Sequence, residues 1–181
     1  MGRILITGGA GFIGRHVLER LRATGAPLRV VVRNDRGVEQ LAALGHQPGR
    51  GLEVVQADLT RRAEIPKVLE GCDRVVHLAG RVSSRQQDRK AIYLDNVTTA
   101  SHLLEAAQLA GIRRFVLVSH VLAAGGGHGP IPVTEEISFR LSRFPSDFVQ
   151  ARRVVELEAL RAAARGLPVI LPTLAFCLGP G

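Results

Sequence analysis

The sequence predicts a doubly wound α/β domain built on a parallel sheet, and three observations carry that prediction. Apolar runs of strand length alternate with longer stretches of helical periodicity, which is the pattern of βαβ units. The runs VVV (30–32) and FVLV (115–118) are continuously apolar, as strands covered on both faces must be. A glycine-rich turn, TGGAGFIG (7–14), separates the first apolar run from the first helical stretch.

Taken in order, the strands are expected at 3–7 (RILIT), 28–33 (LRVVVR), 52–56 (LEVVQ), 74–78 (RVVHL), 114–118 (RFVLV) and 168–172 (PVILP). Helices are expected near 12–24, 37–44, 61–70, 88–110 and 147–165. The first helix repeats Ile13, Val17 and Leu21 every four residues, one apolar face. The last begins at Ser146 or Asp147, either of which can cap it, with Gln150 placed as a capping-box partner. Right-handed crossovers then order six strands 3-2-1-4-5-6, with helices on both faces. The stretch AAGGGHGPIPV (123–133) reads as a surface loop or a lid near a site.

At 181 residues the chain has the size of one domain, and 46% hydrophobic with 4% aromatic content suits one α/β core. A single domain over 1–181, with no second domain, is the expectation. Basic residues outnumber acidic by 24 to 16; two are lysines, Lys67 and Lys90, so 24 − 2 leaves 22 arginines. They are scattered, and the tightest groups are pairs such as Arg61-Arg62, Arg113-Arg114 and Arg152-Arg153. A nucleic-acid surface needs a concentrated basic patch with stacking aromatics, which this pattern does not offer. Cys72 and Cys177 form neither a metal-ligand spacing nor a disulfide framework, so they read as small buried residues in a reducing compartment. No apolar run reaches 18 residues and no charged leader precedes the first strand, so a cytoplasmic protein without membrane attachment is expected.

The turn at 7–14 fits both Gly9-x-Gly11-x-x-Gly14 and the wider Gly8-x-x-Gly11-x-x-Gly14. Both patterns serve one need: a tight turn, backbone unobstructed beside a pyrophosphate, and close packing of helix on strand. The helix N-terminus adds free amides and the positive end of its dipole. At the end of the second strand, an acid would bind the ribose 2′-hydroxyl and an arginine would accommodate a 2′-phosphate. Arg33 stands first there, with Arg36 behind and Asp35 competing, so NADP is favoured over NAD. Asp58-Leu59 and HLAG (77–80) follow the third and fourth strands, where open α/β sheets bind ligands. Asp58 either accepts from an adenine amino group or caps the helix beginning near Thr60.

TGGAGFIG, ADL (57–59), HLAG, DNVTTASHLLEAA (95–107), RRFVLVSHVLAAGG (113–126), VTEE (133–136) and the final GPG, in this order, resemble the extended short-chain dehydrogenase/reductases, the NAD(P)-dependent epimerase/dehydratase group. The resemblance implies a Rossmann domain holding NADP or NAD through Gly8, Gly11, Phe12, Ile13, Arg33, Asp58, Leu59, Ala79, Gly80, Asn96 and Arg152. It also implies hydride-transfer chemistry by ancestry on an unidentified small-molecule substrate. Family members often pair through the helices near 88–110 and 147–165, which offers a homodimer.

The same resemblance exposes departures. Members carry a catalytic hydroxyl after the fifth strand and a Tyr-x-x-x-Lys on the next helix; here Ser119 and His120 align with the hydroxyl pair, His120 on its catalytic member. Phe148 stands on the tyrosine and Arg152 on the lysine, with Glu156 a turn further on. Phenylalanine has no proton to exchange and arginine does not titrate usefully, so the tyrosine-driven proton step is lost while cofactor binding is not. His120 is the candidate substitute acid or base. Ser119 takes the hydroxyl role if the register slips by one, but lacks an obvious partner. Tyr93 is expected to pack against the sheet, and His128 to be exposed in the glycine loop. No metal ligand set is expected.

Overall fold

A computed structural model describes residues 2–49, 51–124 and 146–179. The first half alternates strand and helix as expected: β1 (Arg3–Thr7), α1 (Phe12–Ala23), β2 (Leu28–Val32), α2 (Asp35–Ala43), β3 (Leu52–Gln56), a 3-10 turn at Arg62–Glu64, α3 (Ile65–Leu69) and β4 (Cys72–His77). After β4, the stretch read as one helix over 88–110 is broken. A 3-10 turn (Gln86–Asp88) and α4 (Arg89–Ile92) run into a π-helical segment, Tyr93–Thr98, before α5 (Thr99–Leu109) resumes the α pitch. Side chains take part: Asn96 Nδ2 donates to the Ile92 carbonyl at 2.8 Å and to the Arg81 carbonyl back in the loop after β4 at 3.0 Å, and Thr99 Oγ1 donates to the Leu94 carbonyl at 3.2 Å. Side chains thus occupy carbonyls of this turn and the ladder widens, as it often does at functional sites.

The chain continues through β5 (Arg114–Leu117), β6 (Ser119–His120), α6 (Val121–Ala124), α7 (Asp147–Ala164), β7 (Val169–Ile170) and β8 (Thr173–Leu174). The main sheet is parallel and ordered β3-β2-β1-β4-β5-β7, which is the expected 3-2-1-4-5-6 order with its sixth strand numbered β7. The expected strand 168–172 is shorter. It breaks at Pro172, whose carbonyl accepts from Ser119 N at 2.9 Å, and the chain then pairs β8 with β6 in a small parallel ladder.

Alternation along β1 sends Leu5 to one side and Ile4 and Ile6 to the other. Leu5 packs with Val75, Phe115 and the inner faces of α3, α5 and α7; Ile4 and Ile6 pack with Val30, Leu18 of α1 and Leu41 of α2. The buried Arg29 at the start of β2 is fully employed. It pairs with Glu53 at 2.9 Å and donates to the Val68 and Glu70 carbonyls at 2.8 and 2.7 Å, closing the C-terminal end of α3.

Several expectations need correction. Cys177 is exposed and Cys72 only half-buried, so neither is a core residue, and both thiols are free. Ala123 belongs to α6 and is fully buried, so the stretch 123–133 is not all loop. Residues 125–133, His128 and VTEE lie outside the described residues. Tyr93 does not pack into the sheet; it is half-buried and lines a polar cleft with Arg89, whose guanidinium lies 6.0 Å from the ring centroid. Among the described residues, no helix is long and apolar enough to cross a membrane.

Candidate functional site

A cleft of about 580 Å³ opens at the carboxyl ends of β1, β2 and β4. Its floor is the turn after β1. Gly8 has φ +73°, and a Cβ there would stand 2.6 Å from Ala79 N; a Cβ at Gly14 would stand 2.0 Å from the Gly8 carbonyl oxygen. The turn is closed by Gly11 N–H donating to Gly8 O at 3.0 Å. Gly11 itself has ordinary extended φ and ψ, and a Cβ would meet only Gly8 O at 3.2 Å. Its lack of a side chain therefore keeps space open toward the cleft more than it serves the fold.

α1 has no side-chain cap and no acid in its first turn, so its first amides and its dipole face outward unneutralised. Its first turn-spanning bond is Arg15 N–H to Gly11 O. The side chains of Phe12 and Ile13 do not line this cleft. They line an apolar groove with Val17, Cys177 and Leu178, so only their backbone could face a phosphate.

At the end of β2, Arg33, Asn34, Arg36 and Gly37 line the cleft and Asp35 does not. Asn34 caps α2, its side chain accepting from Gly37 N at 3.3 Å. Asp58 Oδ1 accepts from Thr60 N at 3.0 Å and from Thr60 Oγ1 at 2.8 Å, so it holds the local turn. Burial alone would raise its pKa, but the two Thr60 bonds and the Arg33 and Arg61 charges hold it below the usual range. Leu59, Ala79 and Gly80 line the cleft.

Two residues of this cleft were missed in the sequence. Asp95, buried on the π-helical segment, accepts from Arg33 Nη2 at 2.8 Å and from Arg81 Nε at 2.7 Å. Burial pushes its carboxyl up, and the two guanidiniums outweigh that and hold it low. Arg81 follows Gly80 directly and was readable only as one more scattered arginine. The neighbour Asn96 is buried and occupied: Nδ2 donates to Arg81 O at 3.0 Å and to Ile92 O, while Oδ1 accepts from Arg81 N at 3.2 Å. It holds the wall of the cleft without facing it.

The second half of the site lies at the mouth of β5. Arg152, on α7, donates from Nη1 to Val118 O at 3.4 Å, and its buried Nε has no partner among the described residues. Its guanidinium reaches Gly80: a Cβ there would meet Arg152 Nη2 at 2.6 Å and Asn96 Oδ1 at 2.5 Å. Burial lowers the Arg152 pKa and Glu156 partly restores it. Phe148 is buried beneath this guanidinium, 5.5 Å from its centroid to Cζ, and its ring meets His120 edge-on at 5.7 Å.

His120 is further covered by Phe176, ring centroids 5.0 Å apart. Its Nδ1 accepts from Leu122 N at 3.2 Å, so the neutral ring carries its proton on Nε2. Burial, then the Arg152 charge, lower its pKa. Ser119 does have a partner, contrary to the sequence reading. Its hydroxyl donates to Glu156 Oε1 at 2.6 Å, both residues being buried. Ser146 is the cap of α7, accepting from Val149 N at 3.4 Å.

The glycine cradle, the free α1 amides and the orphaned Arg152 Nε fit a dinucleotide laid from β2 across to β5. The described residues contain no group of three or more potential metal-ligating side chains.

Comparison with known proteins gives the same frame. The profile of the NAD dependent epimerase/dehydratase family matches residues 4–181. Sterol demethylase protein B of Methylococcus capsulatus is 32% identical over 178 residues, covering 97% of this chain and 52% of that protein. A putative dihydroflavonol 4-reductase of Synechocystis sp. is 29% identical over 175 residues, covering 97% and 49%. The chain thus spans about half the length of the curated relatives it matches. The Bordetella bronchiseptica enzyme WbmH, solved in complex with NAD+, superposes with a TM-score of 0.81 at 23% identity, over 97% of this chain and 56% of that one; the likeness is one of fold.

Proposed function

The chain belongs to the NAD-dependent epimerase/dehydratase family, and from that premise we propose that it binds NADP without the family's tyrosine-driven proton transfer, as a cofactor sensor or interaction subunit. The observation that carries this reading is the pairing of an intact glycine cradle with a buried Phe148 under Arg152. The free amides of α1 would take the pyrophosphate and Arg152 the nicotinamide ribose. Arg33 and Arg36 face the adenosine end, with Asp35 outside the cleft, which favours a 2′-phosphate over a bare hydroxyl. When bound, the nicotinamide supplies or takes a hydride. What the chain withholds is the proton: Phe148 has none, and Arg152 cannot exchange one near neutral pH.

The competing reading, an active oxidoreductase or epimerase using His120 or a water as acid or base, meets a chemical obstacle at His120. The Leu122 amide occupies the ring's one lone pair, so His120 must break that bond to act as a base. Its lowered pKa makes the imidazolium scarce, so it is a poor acid. We also propose a homodimer through the outer faces of α5 and α7, where Leu109, Leu157 and Leu160 are exposed.

The test is to titrate NADPH and NADH by fluorescence, then assay hydride transfer to a panel of ketones and aldehydes. Wild type should bind and not turn over, and Phe148→Tyr with Arg152→Lys should recover part of the activity. Robust wild-type turnover, lost in His120→Ala, would overturn the proposal.

A further inference from the structure

Arg33, the residue this reading assigns to a 2′-phosphate, is already engaged. Its Nη2 lies 2.8 Å from Asp95 Oδ1 and its Nε 4.0 Å from Asp58 Oδ1. The other Asp95 oxygen takes Arg81 Nε at 2.7 Å. One buried carboxylate therefore joins the end of β2 to the loop after β4, with each oxygen on a different guanidinium. All three side chains line the cleft. Arg36, which also lines it, has no ion pair among the described residues.

We propose that Asp95 is a specificity-determining residue for the dinucleotide, setting the ratio of NADPH to NADH affinity by how firmly it holds Arg33. The proposal rests on the dinucleotide reading of the cleft. A guanidinium recognises a phosphate best by presenting two donors along one edge. In Arg33 the donor Nη2 is bound to Asp95 while Nε lies 4.0 Å from Asp58, so a 2′-phosphate must compete with Asp95 for Nη2. NADH, which carries a hydroxyl there, gains little from a released guanidinium. Asp95 thus penalises the ligand with the extra phosphate and leaves the other nearly untouched. Asparagine at this position keeps the size and one acceptor while removing the charge, so Arg33 becomes available.

The experiment compares wild type, Asp95→Asn, Arg33→Ala and the double variant, with dissociation constants for NADPH and NADH from fluorescence titration at fixed ionic strength. Circular dichroism and a thermal melt establish that each is folded. In Asp95→Asn the preference for NADPH over NADH should rise about tenfold, the scale of one charge-assisted hydrogen bond, with NADH affinity shifting less than about twofold. In the Arg33→Ala background the substitution should leave the ratio unchanged. A ratio that stays or falls in Asp95→Asn, or a rise that persists without Arg33, overturns the proposal while dinucleotide binding stands. If no variant binds either dinucleotide, the reading of the cleft fails and the proposal with it.

Discussion

Thr7 and His77 end adjacent parallel strands, and Thr7 Oγ1 lies 2.7 Å from His77 Nδ1 in a site with almost no solvent. The same hydroxyl accepts from Ala79 N at 3.2 Å, so Thr7 joins the ends of β1 and β4 to the backbone that follows. The His77 imidazole is neutral near pH 7. Burial, and secondarily the Arg152 charge, depress its pKa to about 3.

The depressed pKa carries a pH dependence whose sign is determined. A histidine whose folded pKa lies below its unfolded value of 6.5 contributes full stability above pH 6.5 and loses it as pH falls toward 3. By pH 4.5 the loss should reach about 3 kcal/mol, two pH units at roughly 1.4 kcal/mol each. His46 and His120 are lowered as well and add in the same direction. The lowered carboxylates Asp58, Asp73 and Asp95 lose their contribution only below about pH 4. Urea melts of wild type and His77→Gln between pH 7 and 4.5 check this, the variant showing the shallower slope.

Gly11 and Gly14 should separate binding from folding. A Cβ at Gly14 would overlap the Gly8 carbonyl at 2.0 Å, so Gly14→Ala should cost about 3 kcal/mol or more. Gly11→Val meets only a 3.2 Å contact at φ −76°, so its stability should stay within about 1 kcal/mol of wild type while NADPH binding disappears. Paired chemical denaturation and fluorescence titration read both effects.

Ser119→Ala should cost stability. It removes the 2.6 Å bond to buried Glu156, whose one other hydrogen bond among the described residues is the 3.5 Å contact from Arg153 on the other carboxylate oxygen. An under-satisfied buried carboxylate costs about 1–3 kcal/mol. Adding Glu156→Ala should recover part of that loss, since the stranded charge is then gone, and a double-mutant cycle in urea measures the coupling.

Asn96→Ala removes two hydrogen bonds that tie the loop after β4 to the π-helical turn and a third to the Ile92 carbonyl at the end of α4. A stability loss of about 2–3 kcal/mol is expected, together with weaker dinucleotide binding, because Arg81 and Gly80 lose their anchor. Hydrogen exchange should show the amides of 79–82 opening faster than in wild type.

The sheet was legible because burial on both faces makes its strands continuously apolar, and VVV and FVLV announce themselves. The glycine turn was legible for a similar reason: its constraint is steric and local, written in four neighbouring glycines. The break in the helix over 88–110 was not legible, since it depends on where the Asn96 amide finds carbonyls, and one of those lies back in the loop after β4. Asp95 escaped for the same reason, its partners standing 62 and 14 residues away. The partner of Ser119 is 37 residues off, on a helix face that periodicity assigns to the core. The cap of α7 fared better, because Ser146 acts within three residues of itself.

Every residue lining the first cleft falls between Thr7 and Thr99, whereas His120, Phe148, Arg152 and Phe176 all come later in the chain. During synthesis, the ribosome therefore delivers every side chain that lines the first cleft before any of the groups that face β5. Two parts with so little shared sequence can accumulate substitutions on separate schedules. Substitutions in the later segment leave the identity of every residue lining the first cleft unchanged.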